Sequence, residues 1–118
     1  MTNSADDFRR EREEQNELVL SRSGKITKRF FSLDTGVYDE GRLPGRFKEL
    51  LGLVASTVLR CEDCVTYHVL RCSEEGVEGE EFYEALEVAL VVGGSVVIPH
   101  YRRAARLWEE LRGKGGRP

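Results

Sequence analysis

The sequence lacks any long apolar run. Its longest apolar-leaning stretch, Val88 to Ile98, is broken by Gly93, Gly94 and Ser95. A membrane-spanning helix needs roughly 20 consecutive apolar residues, so no span is expected. The opening residues, Met1 to Asp7, are polar and acidic and hold no apolar centre of a secretory signal. An excess of positive charge is also missing. Eighteen Lys and Arg stand against 21 Asp and Glu, for a net charge of -3. With no basic stripe either, a nucleic-acid partner is not expected. There is no internal repeat and no low-complexity tract. Cysteine is scarce, with three in 118 residues. Together these absences predict a cytoplasmic protein, and in that compartment a structural disulfide framework is not expected.

What is present suits one compact domain. The chain is 40% hydrophobic and 33% charged, ordinary for a globular protein. A core of this size is modest, which favours sharing apolar surface with another subunit. Residues 1–24 form a polar arm or solvated helix, with apolar residues sparse until Leu18, Val19 and Leu20. The domain proper is expected over 25–112 and a polar tail over 113–118. Ile26, Phe30 and Leu33 repeat at i, i+4 and i+7, predicting a short amphipathic helix. Pro44 suits a helix start. After it, Phe47, Leu50, Leu51, Val54, Ala55, Val58 and Leu59 keep helical spacing. Off that stripe, Glu49, Gly52 and Ser56 share a second face. Its small residues predict a close neighbour, towards which Glu49 points. A further helix starts near Arg60 or Cys61 and ends at Glu75-Gly76, with Gly76 as cap. Another covers Glu80 to Val92, apolar around most of its circumference, so burial in a bundle or a subunit interface is expected. A last helix carries Pro99 in its first turns and runs to about Leu111. The fold class that results is all-α, a bundle of five or six helices.

The chemistry concentrates in Cys61-Glu62-Asp63-Cys64-Val65-Thr66-Tyr67-His68. On a helix, Cys61, Cys64 and His68 share one face. A thiol near a helix N-terminus meets unpaired N–H groups and the positive end of the dipole, which favour thiolate. His68 can take its proton, and a facing carboxylate can orient the imidazole, with Glu49 the candidate. The second thiol can trap the oxidised first one as a disulfide. Against this, Glu62 and Asp63 oppose thiolate formation, and Arg60 only partly offsets them. Zinc is the second reading, but Cys-x-x-Cys zinc sites draw another ligand pair from far along the chain. Cys72 lies about 16 Å from Cys61 along a helix, and His100 is the only other histidine. No metal and no cofactor are therefore expected. The bland reading, buried small thiols and a core histidine, suits Cys72 alone better than three residues in register. His100 and Tyr101 read as structural, and Arg102-Arg103 as a solvated face.

Lys48-Glu49-Leu50-Leu51 followed by Cys61-x-x-Cys64-x-x-x-His68 resembles the carboxymuconolactone decarboxylase family, in particular its alkyl hydroperoxidase D-like branch. Glu49 stands twelve residues before Cys61, as that branch's pattern asks. Phe82-Tyr83-Glu84-Ala85-Leu86 and the Gly93-Gly94 break add to the likeness, which runs from about Ile26 to Leu111. The resemblance implies a helical homo-oligomer, a trimer or hexamer, with its site near a subunit interface. It implies hydroperoxide reduction, with Cys64 peroxidatic, Cys61 its disulfide partner, His68 and Glu49 a proton relay, and an external dithiol as reductant. The best-studied peroxidases of that branch carry a further histidine between the cysteines, where this chain has Glu62 and Asp63. The alternatives are a non-redox lactone decarboxylase and a non-catalytic assembly protein on the same scaffold.

Overall fold

The structure, a computed structural model, describes residues 4–114. Six helices follow one another: α1 (Ser4–Arg22), α2 (Lys25–Gly36), α3 (Gly45–Leu59), α4 (Glu62–Glu74), α5 (Gly79–Gly93) and α6 (Ile98–Lys114). One 3-10 turn, Ser95–Val97, leads into α6. There is no strand among the described residues, so the all-α expectation holds. No helix among them is long and apolar enough to cross a membrane.

The chain divides after Asp39 into two compact units. The first contains α1 and α2. Its Ile26, Phe30 and Leu33, the predicted amphipathic stripe, are 74%, 65% and 71% exposed. The helix forms as the spacing predicts, but its apolar face meets water.

The second unit holds the core. In it α3 packs against α4 and α5, and α6 packs against α4 and α5. Leu53, Val65, Val69, Phe82, Leu86, Ala89, Ala104 and Trp108 are buried together. The Phe82 and Trp108 rings stack at 4.3 Å and 8°, an arrangement that adds to their area burial. The start of α5 is fixed by a reciprocal cap, in which the Glu78 side chain accepts from the backbone of Glu81 and the Glu81 side chain accepts from the backbone of Glu78. At the Gly93-Gly94 break the chain takes φ 84° at Gly94, a conformation that suits glycine.

The buried face of α3 overlaps its most regular apolar stripe only in part, through Leu50, Val54 and Val58, which pack against the core. Glu49, Leu53, Ser56 and Thr57 are buried, whereas Phe47, Leu51 and Leu59 are exposed. Small residues on the polar face let α4 approach, and the charge of Glu49 finds partners there, so this face wins the interior. A second difference is in α5. Phe82, Leu86 and Ala89 are buried, but Val88, Val91 and Val92 face out. Of the expected polar tail, Gly113 and Lys114 belong to α6. Residues 115–118, and 1–3 at the other end, lie outside the described residues.

Candidate thiol site

Helix α3 ends on Arg60, which takes the left-handed conformation at φ 61° and ψ 38°. The Arg60 N–H donates to Thr57 O and the Cys61 N–H donates to Ser56 O, both at 3.0 Å. These bonds close the carbonyl end of α3 and turn the chain directly into α4. A non-glycine residue in this conformation costs roughly 1–2 kcal/mol. Cys61 is the N-cap of α4.

That turn sets the two sulfurs. Cys61 Sγ donates to Cys64 Sγ at 2.6 Å. The Cys64 backbone N–H in turn donates to Cys61 Sγ at 3.4 Å. Both residues are thiols, not a disulfide, and Cys64 is the more exposed of the two. The cap position thus gives Cys61 an N–H donor and sets it at the positive end of the α4 dipole. Cys64 has the better access to solutes.

One turn further along α4, His68 turns inward to α3. Its Nδ1 bonds Glu49 Oε1 at 2.9 Å. Glu49 is 1% exposed and His68 8%, so the pair is taken from water almost completely. A carboxylate only accepts, so in the neutral ring Nδ1 carries the proton and Nε2 the lone pair. Gly52 makes the approach possible. A Cβ built there would lie 2.6 Å from His68 Cε1 and 2.7 Å from Nε2, inside any ordinary contact distance. The imidazole therefore rests on bare α3 backbone.

The second carboxylate oxygen is also held. Arg71 Nε donates to Glu49 Oε2 at 3.3 Å. Arg71 also donates to Glu74 at 2.5 Å and to Glu75 at 2.8 Å. Burial works against the Arg71 charge, but the Glu74 hydrogen bond and the nearby carboxylates outweigh it and raise its pKa above the ordinary value. A buried carboxylate bonded by two cationic or protonatable partners is a stable way to keep an ionisable group inside a small core.

The structure brings Cys61 and Cys64 together, and it brings Glu49, which spacing alone leaves off the main stripe, to His68. Cys72 is set apart. It is fully buried, and burial first, then Glu49, pushes its thiol up to about 12. Arg71 was not anticipated, although it follows His68 by three residues on the same helix face. The partners of Glu62 were not anticipated either. His100 Nδ1 bonds Glu62 Oε1 at 2.5 Å and Arg103 Nη1 donates to the same oxygen at 3.0 Å. No local pattern links residues 38 and 41 positions apart. Among the described residues, no three His, Cys, Asp or Glu side chains converge as a metal ion would require.

Residues 24–107 match the model of the carboxymuconolactone decarboxylase family. An uncharacterised protein in the cox locus of Paracoccus denitrificans is 30% identical over 94 residues, 79% of this chain and 85% of the relative. A crystal structure of a Thermotoga maritima protein superposes with TM-score 0.90 at 59% identity, covering 92% of this chain and 96% of that one. A second crystal structure from the same organism has TM-score 0.88 at 56% identity, covering 95% and 97%. It is described as a protein of this family with a suggested part in the antioxidative response. A family protein of Legionella pneumophila shares the fold, with TM-score 0.83 at 20% identity over 92% of this chain and 97% of that one.

Proposed function

The chain belongs to the carboxymuconolactone decarboxylase family, and on that premise we propose that it is a thiol-dependent hydroperoxidase or disulfide oxidoreductase. The observation that carries this reading is the contact of the Cys61 and Cys64 sulfurs at 2.6 Å, one turn from a buried histidine held by a buried glutamate. The suggested antioxidative part of the Thermotoga maritima relative points the same way.

In the proposed cycle Cys64, the more exposed thiol, gives its proton to Nε2 of His68 and attacks a hydroperoxide. The thiolate sulfur takes one peroxide oxygen, the O–O bond breaks, and the proton from His68 leaves with the alcohol. Cys64 is now a sulfenic acid, oxidised by two electrons. Cys61 then displaces hydroxide from that sulfur, water leaves, and the disulfide forms. An external dithiol returns the pair to thiols by exchange, becoming a disulfide itself. Glu49 keeps the imidazole oriented and stabilises it while it holds the proton. The N–H donor at Cys61 stabilises the thiolate that leaves during exchange. The proposal includes assembly as a homo-oligomer, a trimer or hexamer, in the cytoplasm.

The test is stoichiometric treatment of the reduced protein with hydroperoxide, followed by mass spectrometry of alkylated peptides. The expected product is one intramolecular Cys61–Cys64 disulfide, with Cys72 still a thiol. Recovery of Cys61 and Cys64 both as thiols rejects the reading.

A further inference from the structure

The motif places Glu62 and Asp63 between the two cysteines, where negative charge works against thiolate. Asp63 is exposed, so water screens it. Glu62 is treated differently by the fold. Its Oε1 is held by His100 Nδ1 at 2.5 Å and by Arg103 Nη1 at 3.0 Å, both from α6. His100 is only 17% exposed on its side chain. Glu62 is the first residue of α4, immediately after the Cys61 cap, so whatever fixes it fixes the turn that carries both sulfurs. The charged and titratable groups around that turn are Glu62 and Asp63 on α4, Arg60 in the α3–α4 turn, Glu49 on α3 behind His68, and His100 and Arg103 on α6.

We propose that His100 and Arg103 are positioning residues for the cysteine pair: by holding Glu62 they tie the first turn of α4 to α6, and the Arg103 guanidinium offsets the carboxylate charge of the residue that follows Cys61. Neither touches the reacting atoms. They act through Glu62, and the inference rests on the thiol reading given above. The acidic residue next to Cys61 thereby becomes an anchor whose cost in charge is met from a helix far along the sequence.

The test is a mutant cycle on the full-length protein, read by the rate of iodoacetamide alkylation of Cys61 and Cys64 across pH. That readout follows the thiolate fraction and requires no peroxide. Arg103→Gln removes a positive charge from Glu62, and His100→Gln removes the ring nitrogen that holds it. Arg103→Gln is expected to raise the titration midpoint and slow alkylation at pH 7 by about threefold, the order of one screened surface charge, and His100→Gln to slow it by a smaller factor through the loosened turn. Arg103→Lys keeps the charge and stays near the parent rate. Glu62→Gln lowers the midpoint and speeds alkylation. In the Glu62→Gln background the effect of Arg103→Gln shrinks to near nothing, because an unheld exposed guanidinium is screened by solvent. Equal slowing by Arg103→Gln with and without Glu62 overturns the proposal, as does no slowing at all. Circular dichroism of each variant checks that α4 and α6 remain folded. The two readings fail separately. Thiols that survive peroxide reject the hydroperoxidase but not the coupling. A peroxide-formed disulfide without the coupling rejects only the role of His100 and Arg103.

Discussion

Glu49 combines two demands in one side chain. It is buried with both carboxylate oxygens engaged, one by His68 and one by Arg71. Removing the carboxylate leaves an imidazole and part of a guanidinium facing a dry gap. Glu49→Ala is therefore expected to cost about 2–4 kcal/mol in urea unfolding, within the range for stripping one partner from a buried polar pair. Glu49→Gln keeps the shape and one acceptor and loses the charge. It is expected to fold, at a smaller cost, and to lower the peroxide reaction rate at least tenfold by weakening the support for protonated His68. Cys72 makes the opposite case, a buried thiol outside the proposed cycle. Its folded value is about 12 against an ordinary 9.0. The unfolded chain loses this proton first, so the contribution is intact below pH 9 and stability falls as pH rises from there towards 12. Urea midpoints measured from pH 8 to 11 check the decline, and Cys72→Ala is expected to flatten it.

Among the helices, the contact of α3 with α4 decides the site. Glu49, Gly52 and Ser56 lie on one face of α3, and the sequence pattern already marks that face as one a neighbour can approach. The structure assigns the neighbour as α4 and the occupant as the His68 ring. Gly52→Ala places a methyl group where the imidazole sits. Overpacking of this kind costs about 1–3 kcal/mol, only partly offset by the better helix propensity of alanine. The ring must move from Glu49, so a fall in peroxide reactivity should accompany the loss of stability. Unfolding curves and stopped-flow rates on the same variant check both. The regular stripe of α3 is a partial guide, since Leu50, Val54 and Val58 pack against the core while Phe47, Leu51 and Leu59 are exposed. Periodicity reports that a helix has apolar sides, and α3 has more than one. Which side is buried depends on what the facing helix supplies, and α4 supplies partners for a carboxylate.

At the scale of the molecule, apolar residues remain on the surface. Phe30 and Leu33 on α2 and Val91 and Val92 on α5 all face solvent. Exposed apolar residues on each unit are candidate interaction sites, in keeping with the proposed homo-oligomer. Phe30→Glu with Leu33→Glu is expected to shift the protein to smaller species in light scattering, leaving the helical content of the α3–α6 unit in place. An unchanged mass would show that α2 takes no part in assembly.

Sequence alone determined the helical class, the approximate helix limits, the adjacency of the two cysteines and the polar face of α3. All of these follow from spacing within about fifteen residues, where 3.6-residue periodicity and cap chemistry act. Tertiary structure decided which face of α3 is buried, that Arg71 shares Glu49 with His68, and that His100 and Arg103 hold Glu62. Those contacts join helices whose residues lie tens of positions apart, and no local pattern encodes which side chains a folded bundle brings together.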